Sequence, residues 1–439
     1  MTETNNHIMP KNNMRIINAW CSYDVANSVY NLIITAVLFP IYYQQVTNAA
    51  FSNGIIPLWG MQIKNSVLYD FTFAFAYFVI IILTPLLAGF ADYMGLRRLY
   101  MRIFTTVGSI ACFSLFWFDG TNIMFGCSMV ALAAIGYAGS LVYYNSFLPI
   151  IATPDRHDRI SARGFSWGYG GSVILLIMCL LFINNYDAFG LSGKLEAIRY
   201  SFCAVGIWWL GVSQIALFML KDYPSQRISG TKLMGKGVHE LKKVFNFVSK
   251  RKNMNLFLIS FFFLSMGVQT VMLVATLFGS IELGISGPRL IIVILLIQLL
   301  GIVGSILFGI VSQRRGNKIS LIIMLITWFG ICMGAYLVQT EAQFFALAGV
   351  VGLVMGGIQS QARSTWAKLI PEDSVDTASF FSFFDVTEKA AIVIGMFSFG
   401  FIEHLTGNMR NSTLVLSIYF LLSLSVLMLA QLPKGTKSK

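Results

Sequence analysis

The chain has 439 residues, of which 56% are hydrophobic and only 11% charged, where soluble domains carry about 25% charged residues. A water-soluble core has no use for that much apolar surface, so lipid is the solvent for most of the chain. The net charge of +12 does not mark a nucleic-acid partner, because the basic residues are scattered and confined largely to the gaps between apolar runs.

The first sixteen residues are polar. Trp20 to Tyr43 then runs on longer than the apolar core of a signal peptide, with no small-residue cleavage site behind it, so the segment is expected to stay in the mature protein. Apolar runs long enough to cross the hydrocarbon layer as helices follow near 17–43, 68–91, 100–118, 122–150, 163–183 and 199–220. Six more lie near 254–278, 289–312, 319–339, 342–364, 376–402 and 411–431. This predicts an all-α membrane protein of twelve transmembrane helices: a six-helix bundle over 1–220, a basic central loop over 221–253, and a second bundle over 254–439. Lys and Arg should then collect on alternate loops. They do: the termini and even-numbered loops carry 25 of the 31, while only Lys64, Lys194, Arg199, Arg289 and Arg410 fall on the other side. Both termini are thus expected in the cytoplasm.

The central loop holds nine basic residues between Lys221 and Lys252. Val238, Leu241, Phe245 and Val248 recur there at the spacing of one helical face, which predicts an interfacial helix on the membrane surface. The stretch from Gly230 to Lys236 looks like a phosphate-binding loop, but Gly237 stands where Ser or Thr would bind magnesium and no strand precedes it. ATP is not the expected energy source. The six cysteines sit singly in apolar runs and the four histidines are isolated, so no disulfide, metal or cofactor is expected.

Ala88-Gly89-Phe90-Ala91-Asp92-Tyr93-Met94-Gly95-Leu96-Arg97-Arg98 is echoed 221 positions later by the stretch from Gly309 to Lys318, which includes Arg314 and Arg315. Leu148-Pro149 is echoed 222 positions later by Ile370-Pro371. Two echoes at nearly one offset indicate a duplicated six-helix unit, and such parallel repeats leave a ligand cleft between them at mid-membrane. The first of these loops resembles the signature of the major facilitator superfamily, with its leading Gly displaced by one to Gly89. More narrowly, the chain is similar to the branch that includes the fungal vacuolar amino-acid effluxers linked to autophagy and related bacterial proteins. The resemblance is carried by Tyr23-Asp24 with Ala26-Asn27-Ser28, by Tyr144-Asn145 with Phe147-Leu148-Pro149, and by Ser161, Arg163-Gly164 and Gly168-Tyr169. It continues in Trp208-Trp209, Gly267-Val268-Gln269-Thr270, Gly356-Gly357 with Gln359, Arg363-Ser364 and Leu369-Ile370-Pro371. Met266 stands where that branch often has an acid, and Ser382 where it has a Gly, so any role of that acid does not carry over. The resemblance implies a major facilitator fold and a secondary transporter, with amino acids or short peptides as the favoured solutes.

An ionisable side chain at bilayer depth costs roughly 2.5–3.5 kcal/mol on insertion scales, so each one needs a reason. The first span carries Asp24, Asn27 and Asn31 at spacings of three and four, one face of a helix, with Tyr30 beside them. The eleventh carries Asp385, Glu388 and Lys389 within about one turn. Asn145, Gln269, Gln359 and Arg363 add polar groups from other spans. Two readings stand: Lys389 neutralises Asp385 or Asp24 to hold the halves together, or Asp24 or Glu388 carries a proton with Lys389 as the alternative partner. Acidic, basic and amide groups together suit a small polar or zwitterionic solute. By resemblance, Asp92, Gly95, Arg97 and Arg98, with Arg314 and Arg315 in the echoed loop, form a cytoplasmic gate in which Asp92 approaches the start of the eleventh span. The expected partners are a small-molecule substrate, protons and the lipid bilayer, with the chain acting as a monomer. A non-transporting receptor or a lipid translocator remains the alternative; an enzyme would need a nucleophile and base or a metal set, and the sequence shows neither.

Overall fold

The computed structural model describes residues 9–58, 60–222 and 233–433. Long apolar runs close their backbone hydrogen bonds as helices because lipid offers no other partner. They give α1 (Met14–Ala50), α2 (Asn65–Met94), α3 (Arg97–Ser114), α4 (Ile123–Ser146), α5 (His157–Asn184) and α6 (Lys194–Met219). After α7 (Leu233–Lys250) follow α8 (Lys252–Leu283), α9 (Gly287–Arg315), α10 (Asn317–Leu337), α11 (Glu341–Leu369), α12 (Thr377–Thr406) and α13 (Met409–Leu429). Leaving α7 aside, twelve of these are membrane-length. Eleven are apolar enough along an 18-residue stretch to cross a bilayer, and the twelfth, α12, is the one interrupted by Asp385, Glu388 and Lys389. The even number leaves the start of α1 and the end of α13 on one face, called here the terminal face.

α1 packs on α5 and α6, and α3 on α4 and α6; α9 packs on α11, and α13 on α8 and α10. The two sets meet where α5 lies on α9 and α11, and where α12 lies on α2 and α4. Small residues permit the closest crossing within the second set: a Cβ on Gly304 would stand 1.8 Å from the Leu353 carbonyl oxygen, and one on Gly356 2.2 Å from that of Gly301. The echoed loops share a backbone device, since Gly95 (φ 69°) and Gly316 (φ 90°), 221 residues apart, both take positive φ where the chain turns between helices.

Two features depart from the sequence reading. The stretch between the first two spans, outside the predicted helices, forms an antiparallel hairpin, Ile55–Leu58 with Met61–Lys64. The amphipathic helix α7 exists but buries a different face. Val238 and Phe245 are exposed, while Gly237, Val244 and Val248 are buried. The cause is a close pass against α2, where a Cβ on Gly89 would meet the Gly237 carbonyl oxygen at 2.3 Å. The phosphate-loop-like stretch lies largely outside the described residues, with Gly230 to Lys232 not described.

Candidate functional site

Between the two sets of helices lies a polar cavity in which the space open to the centre of a water molecule is about 180 Å³. α1 reaches it with Asp24, Asn27, Tyr30 and Asn31 on consecutive turns, and then with Thr35. From Tyr30 to Leu38 the helix widens to π geometry, the Phe39 amide reaching back five residues to the Ile34 carbonyl. Such a widening re-aims side chains and is frequent at functional sites. Asn145 from α4, Gln269 from α8, Gln359 and Arg363 from α11, and Glu388 and Lys389 from α12 complete the polar lining. Every predicted substrate or coupling residue therefore lines one cavity except Asp385, which sits behind it against Lys389. Among the described residues, the Asn27 amide nitrogen is buried and has no protein partner, and the buried Tyr30 and Thr35 hydroxyls have only each other to pair with.

The floor of the cavity is built on Arg363. Its guanidinium donates to Asp24 Oδ2 (3.3 Å from both terminal nitrogens), to Asn145 Oδ1 (3.2 Å), and to the hydroxyl and carbonyl oxygens of Ser161 (2.9 Å each). Tyr144 donates to the same Asp24 oxygen at 2.6 Å. The ring faces of Trp20 (4.8 Å) and Phe165 (4.3 Å) cover the cation, an arrangement that favours a planar, weakly hydrated guanidinium over an ammonium. Gly164 is required here, since a Cβ would stand 2.4 Å from Asp24 Oδ2. Asp24 is thus paired by Arg363, not by Lys389. Lys389 instead contacts its own helix, at 2.8 Å to Glu388 Oε2 and 3.4 Å to Asp385 Oδ1, while Gln269 Nε2 donates to Glu388 Oε1 at 2.8 Å.

Below the floor the halves are sealed on the terminal face. Asp92 accepts from the Ala378 and Ser379 amides at the start of α12 (3.2 and 2.7 Å) and from Arg97 Nε (2.7 Å); Arg97 also donates to the Val375 carbonyl. A carboxylate at a helix N-terminus takes up unsatisfied N–H groups and meets the positive end of the dipole. Arg98 stays within its own half, where Asp222 accepts from the Arg98 and Leu99 amides and caps α3. Arg314 and Arg315 are exposed and, among the described residues, make no ion pair. The echoed loop is held by residues the sequence reading missed: Asp158 accepts from Ser312 (2.8 Å), Asn317 (2.8 Å) and Lys368 Nζ (2.6 Å), all buried or nearly so. The repeat carried a signal for this. Moving the contact between residues 92 and 379 by 221 positions lands on 313 and 158. Lys243 of α7 adds a 2.7 Å pair to Asp376, whose hydrogen bond raises the lysine pKa.

Among the described residues, every hydrogen bond and ion pair joining the two halves lies between the cavity and the terminal face. On the opposite face the ion pairs, Arg289 with Glu341 and Arg410 with Glu282, stay within one half. The cavity is therefore closed toward the termini.

A family model described as vacuole effluxer Atg22-like matches residues 12–439. An uncharacterized MFS-type transporter, YxiO of Bacillus subtilis (strain 168), is 28% identical over 429 residues, covering 96% of this chain and 95% of that protein. Autophagy-related protein 22-1 of Aspergillus clavatus is 24% identical over 469 residues, covering 87% of this chain and 76% of that one. Among solved structures, the proton:xylose symporter XylE aligns with a TM-score of 0.71 at 13% identity, over 96% of each chain. FucP in its outward conformation aligns at 0.68 and 13%, over 94% of this chain and 98% of that one. At these identities the structures speak for the fold alone.

Proposed function

The chain belongs to the Atg22-like vacuole effluxer family of major facilitator transporters, and on that premise we propose that it carries a small polar or zwitterionic organic solute, an amino acid or short peptide, by proton-coupled alternating access. The observation that carries this reading is the cavity itself, which presents paired charges of both signs together with the unpartnered Asn27 amide nitrogen. A zwitterion can exchange its two charges against such pairs without leaving a net buried charge, whereas a purely apolar solute would leave them unsatisfied. The one-sided seal supports alternating access. Asp24–Arg363, Asp92–α12 and Asp158–Lys368 must all part before the cavity reaches the terminal face. The excess of basic residues on that face supports a cytoplasmic assignment for it, and we place the chain, as a monomer, in a bacterial plasma membrane.

Thermal unfolding of the purified protein against amino acids, dipeptides, sugars, organic acids and nucleosides tests the substrate class. A ligand at 100 times its dissociation constant stabilises the folded state by about 2.7 kcal/mol. The expected result is a shift with one or more amino acids or dipeptides that Lys389→Ala and Asn27→Ala both reduce. A shift confined to sugars or nucleosides, or one untouched by either substitution, overturns the reading.

A further inference from the structure

The buried charges on the two walls of the cavity do not balance in the same way. Asp24 and Arg363 form a neutral pair on one wall. On the other, Asp385 and Glu388 share a single cation, Lys389, so the triad carries one excess negative charge if both acids are ionised. Among the described residues no second cation pairs with Asp385 or Glu388. Tyr77 of α2 and Tyr137 of α4 are the titratable groups facing it from the neighbouring helices, and α8 presents the neutral Gln269. An uncompensated charge at this depth is strongly disfavoured, and a single bound proton removes it.

The hydrogen bonds say which acid takes that proton. Both oxygens of Glu388 receive a donor, Gln269 Nε2 on one and Lys389 Nζ on the other, each at 2.8 Å. Two donors are what an ionised carboxylate requires. Asp385 meets Lys389 only at 3.4 Å through Oδ1, and its Oδ2 is buried with no donor at all. An ionised oxygen left that way costs far more than a neutral acid does. We propose that Asp385, and neither Asp24 nor Glu388, is the group that holds the transported proton while the terminal face is closed.

This rests on the proton coupling proposed above and gives it a direction. α12 enters from the terminal face, so Asp385 lies three residues, about 4.5 Å of helix rise, nearer that face than the cavity-lining Glu388. A proton drawn from cavity water past Glu388 comes to rest on Asp385 Oδ2, while Lys389 keeps its own proton and pairs with Glu388. When the terminal face opens, Asp385 gives that proton to water on that side, and Lys389 turns to the new carboxylate. One proton is taken up and one released per cycle, with no change at Lys389.

Infrared spectroscopy of the purified, unliganded protein at pH 7.5, well above the ordinary carboxyl range of about 4, tests the assignment without a substrate. The expected result is a carboxylic-acid C=O band that shifts on ¹³C labelling of aspartate but not of glutamate. That band should disappear in Asp385→Asn and persist in Asp24→Asn. In Asp385→Glu, which keeps the acid should Asp385→Asn fail to fold, sensitivity should pass from the aspartate label to the glutamate label. A band that follows the glutamate label in the wild type, that is lost in Asp24→Asn, or that is absent altogether overturns the inference. Amino-acid uptake into proteoliposomes under an imposed pH gradient separates this from the parent reading. Uptake indifferent to the gradient with the Asp385 band present removes the coupling but not the assignment. Gradient-driven uptake with the band elsewhere does the reverse.

Discussion

Gly164 sits where the two halves come closest to the charge pair on the cavity floor, and Gly164→Ala isolates the worth of that floor. The added Cβ would lie 2.4 Å from Asp24 Oδ2, 2.9 Å from an Arg363 nitrogen and 3.1 Å from the Trp20 ring. Ordinary contact begins near 3.4 Å, so the carboxylate must move by about 1 Å in a packed interior. It cannot do so freely, because the same oxygen accepts from Tyr144 at 2.6 Å and from both terminal nitrogens of Arg363 at 3.3 Å. Overpacking of this size costs about 1–3 kcal/mol. Gly164 and Asp24 lie in the same half and Arg363 in the other, so parting the halves frees Asp24 from Arg363 to turn away from the added Cβ, and the cost falls mainly on the arrangement closed on the terminal face. The closed-to-open ratio should therefore drop roughly 5- to 150-fold. Cys21 is a native reporter: it lies one turn before Asp24 and is 0% exposed. The rate at which a small maleimide labels Cys21, read by peptide mass spectrometry against the other five cysteines, should rise by a comparable factor in Gly164→Ala. An unchanged Cys21 rate in a folded variant would show that the floor does not gate the terminal face.

Three further outcomes follow from the seals and caps. Lys368→Met leaves Asp158 buried without its cation and should destabilise the closed form by about 3 kcal/mol. Lys368→Met combined with Asp158→Asn should recover most of that loss in the same labelling assay; additive losses would mean that the two residues do not act as a pair. Asp92→Asn keeps an oxygen for one α12 amide but loses the charge that Arg97 and the helix start both meet, so labelling should rise less than in Asp92→Ala, and equal effects would leave the charge with no role. Asp222 caps α3, yet burial raises its carboxyl pKa despite the Arg98 and Leu99 amides and the Arg98 cation. A raised folded-state value means that stability is lost as pH rises through it. Thermal stability of the wild type should thus fall relative to Asp222→Asn as pH rises above the ordinary carboxyl range of about 4, and a constant gap between the two would contradict this.

The cavity could be read from sequence to the extent that it depends on one helix at a time. Asp24, Asn27 and Asn31 share a face because three- and four-residue spacings do so in any α-helix, and Glu388 with Lys389 stood out because charges are rare in such a run. What spans two helices was not legible. The choice of Arg363 over Lys389 as partner of Asp24 depends on how α11 and α12 are rotated about their axes, which no periodicity in either helix records. The buried pair of Asp158 and Lys368 was hidden for another reason. Both lie at helix ends among Lys and Arg residues whose charge is explained by membrane orientation alone, and that general basic excess masks the specific contact between Lys368 and Asp158. The face of α7 was misread because an apolar stripe takes no account of a glycine, and it is Gly237 against Gly89 that sets which way the helix turns.

The two gate loops show how far a duplicated unit can diverge while keeping its job. In the first, the acid is on the loop side, at Asp92, and the helix it holds offers only backbone amides, those of Ala378 and Ser379. In the second, Gln313 replaces that acid, and the carboxylate moves across the contact to Asp158 on the helix side, where Ser312 and Asn317 of the loop become donors. Each contact needs one negative charge, and either partner can supply it. The physical difference is what else the charge must meet. Asp92 draws on a helix N-terminus and a partly exposed Arg97, whereas Asp158, 1% exposed, requires the buried Lys368. The two seals should therefore respond differently to salt: screening reaches the Arg97 pair more readily than a pair cut off from solvent. Opening of the terminal face would then begin on the α2–α12 side, with the α5–α9 side holding until Asp158 and Lys368 are hydrated together.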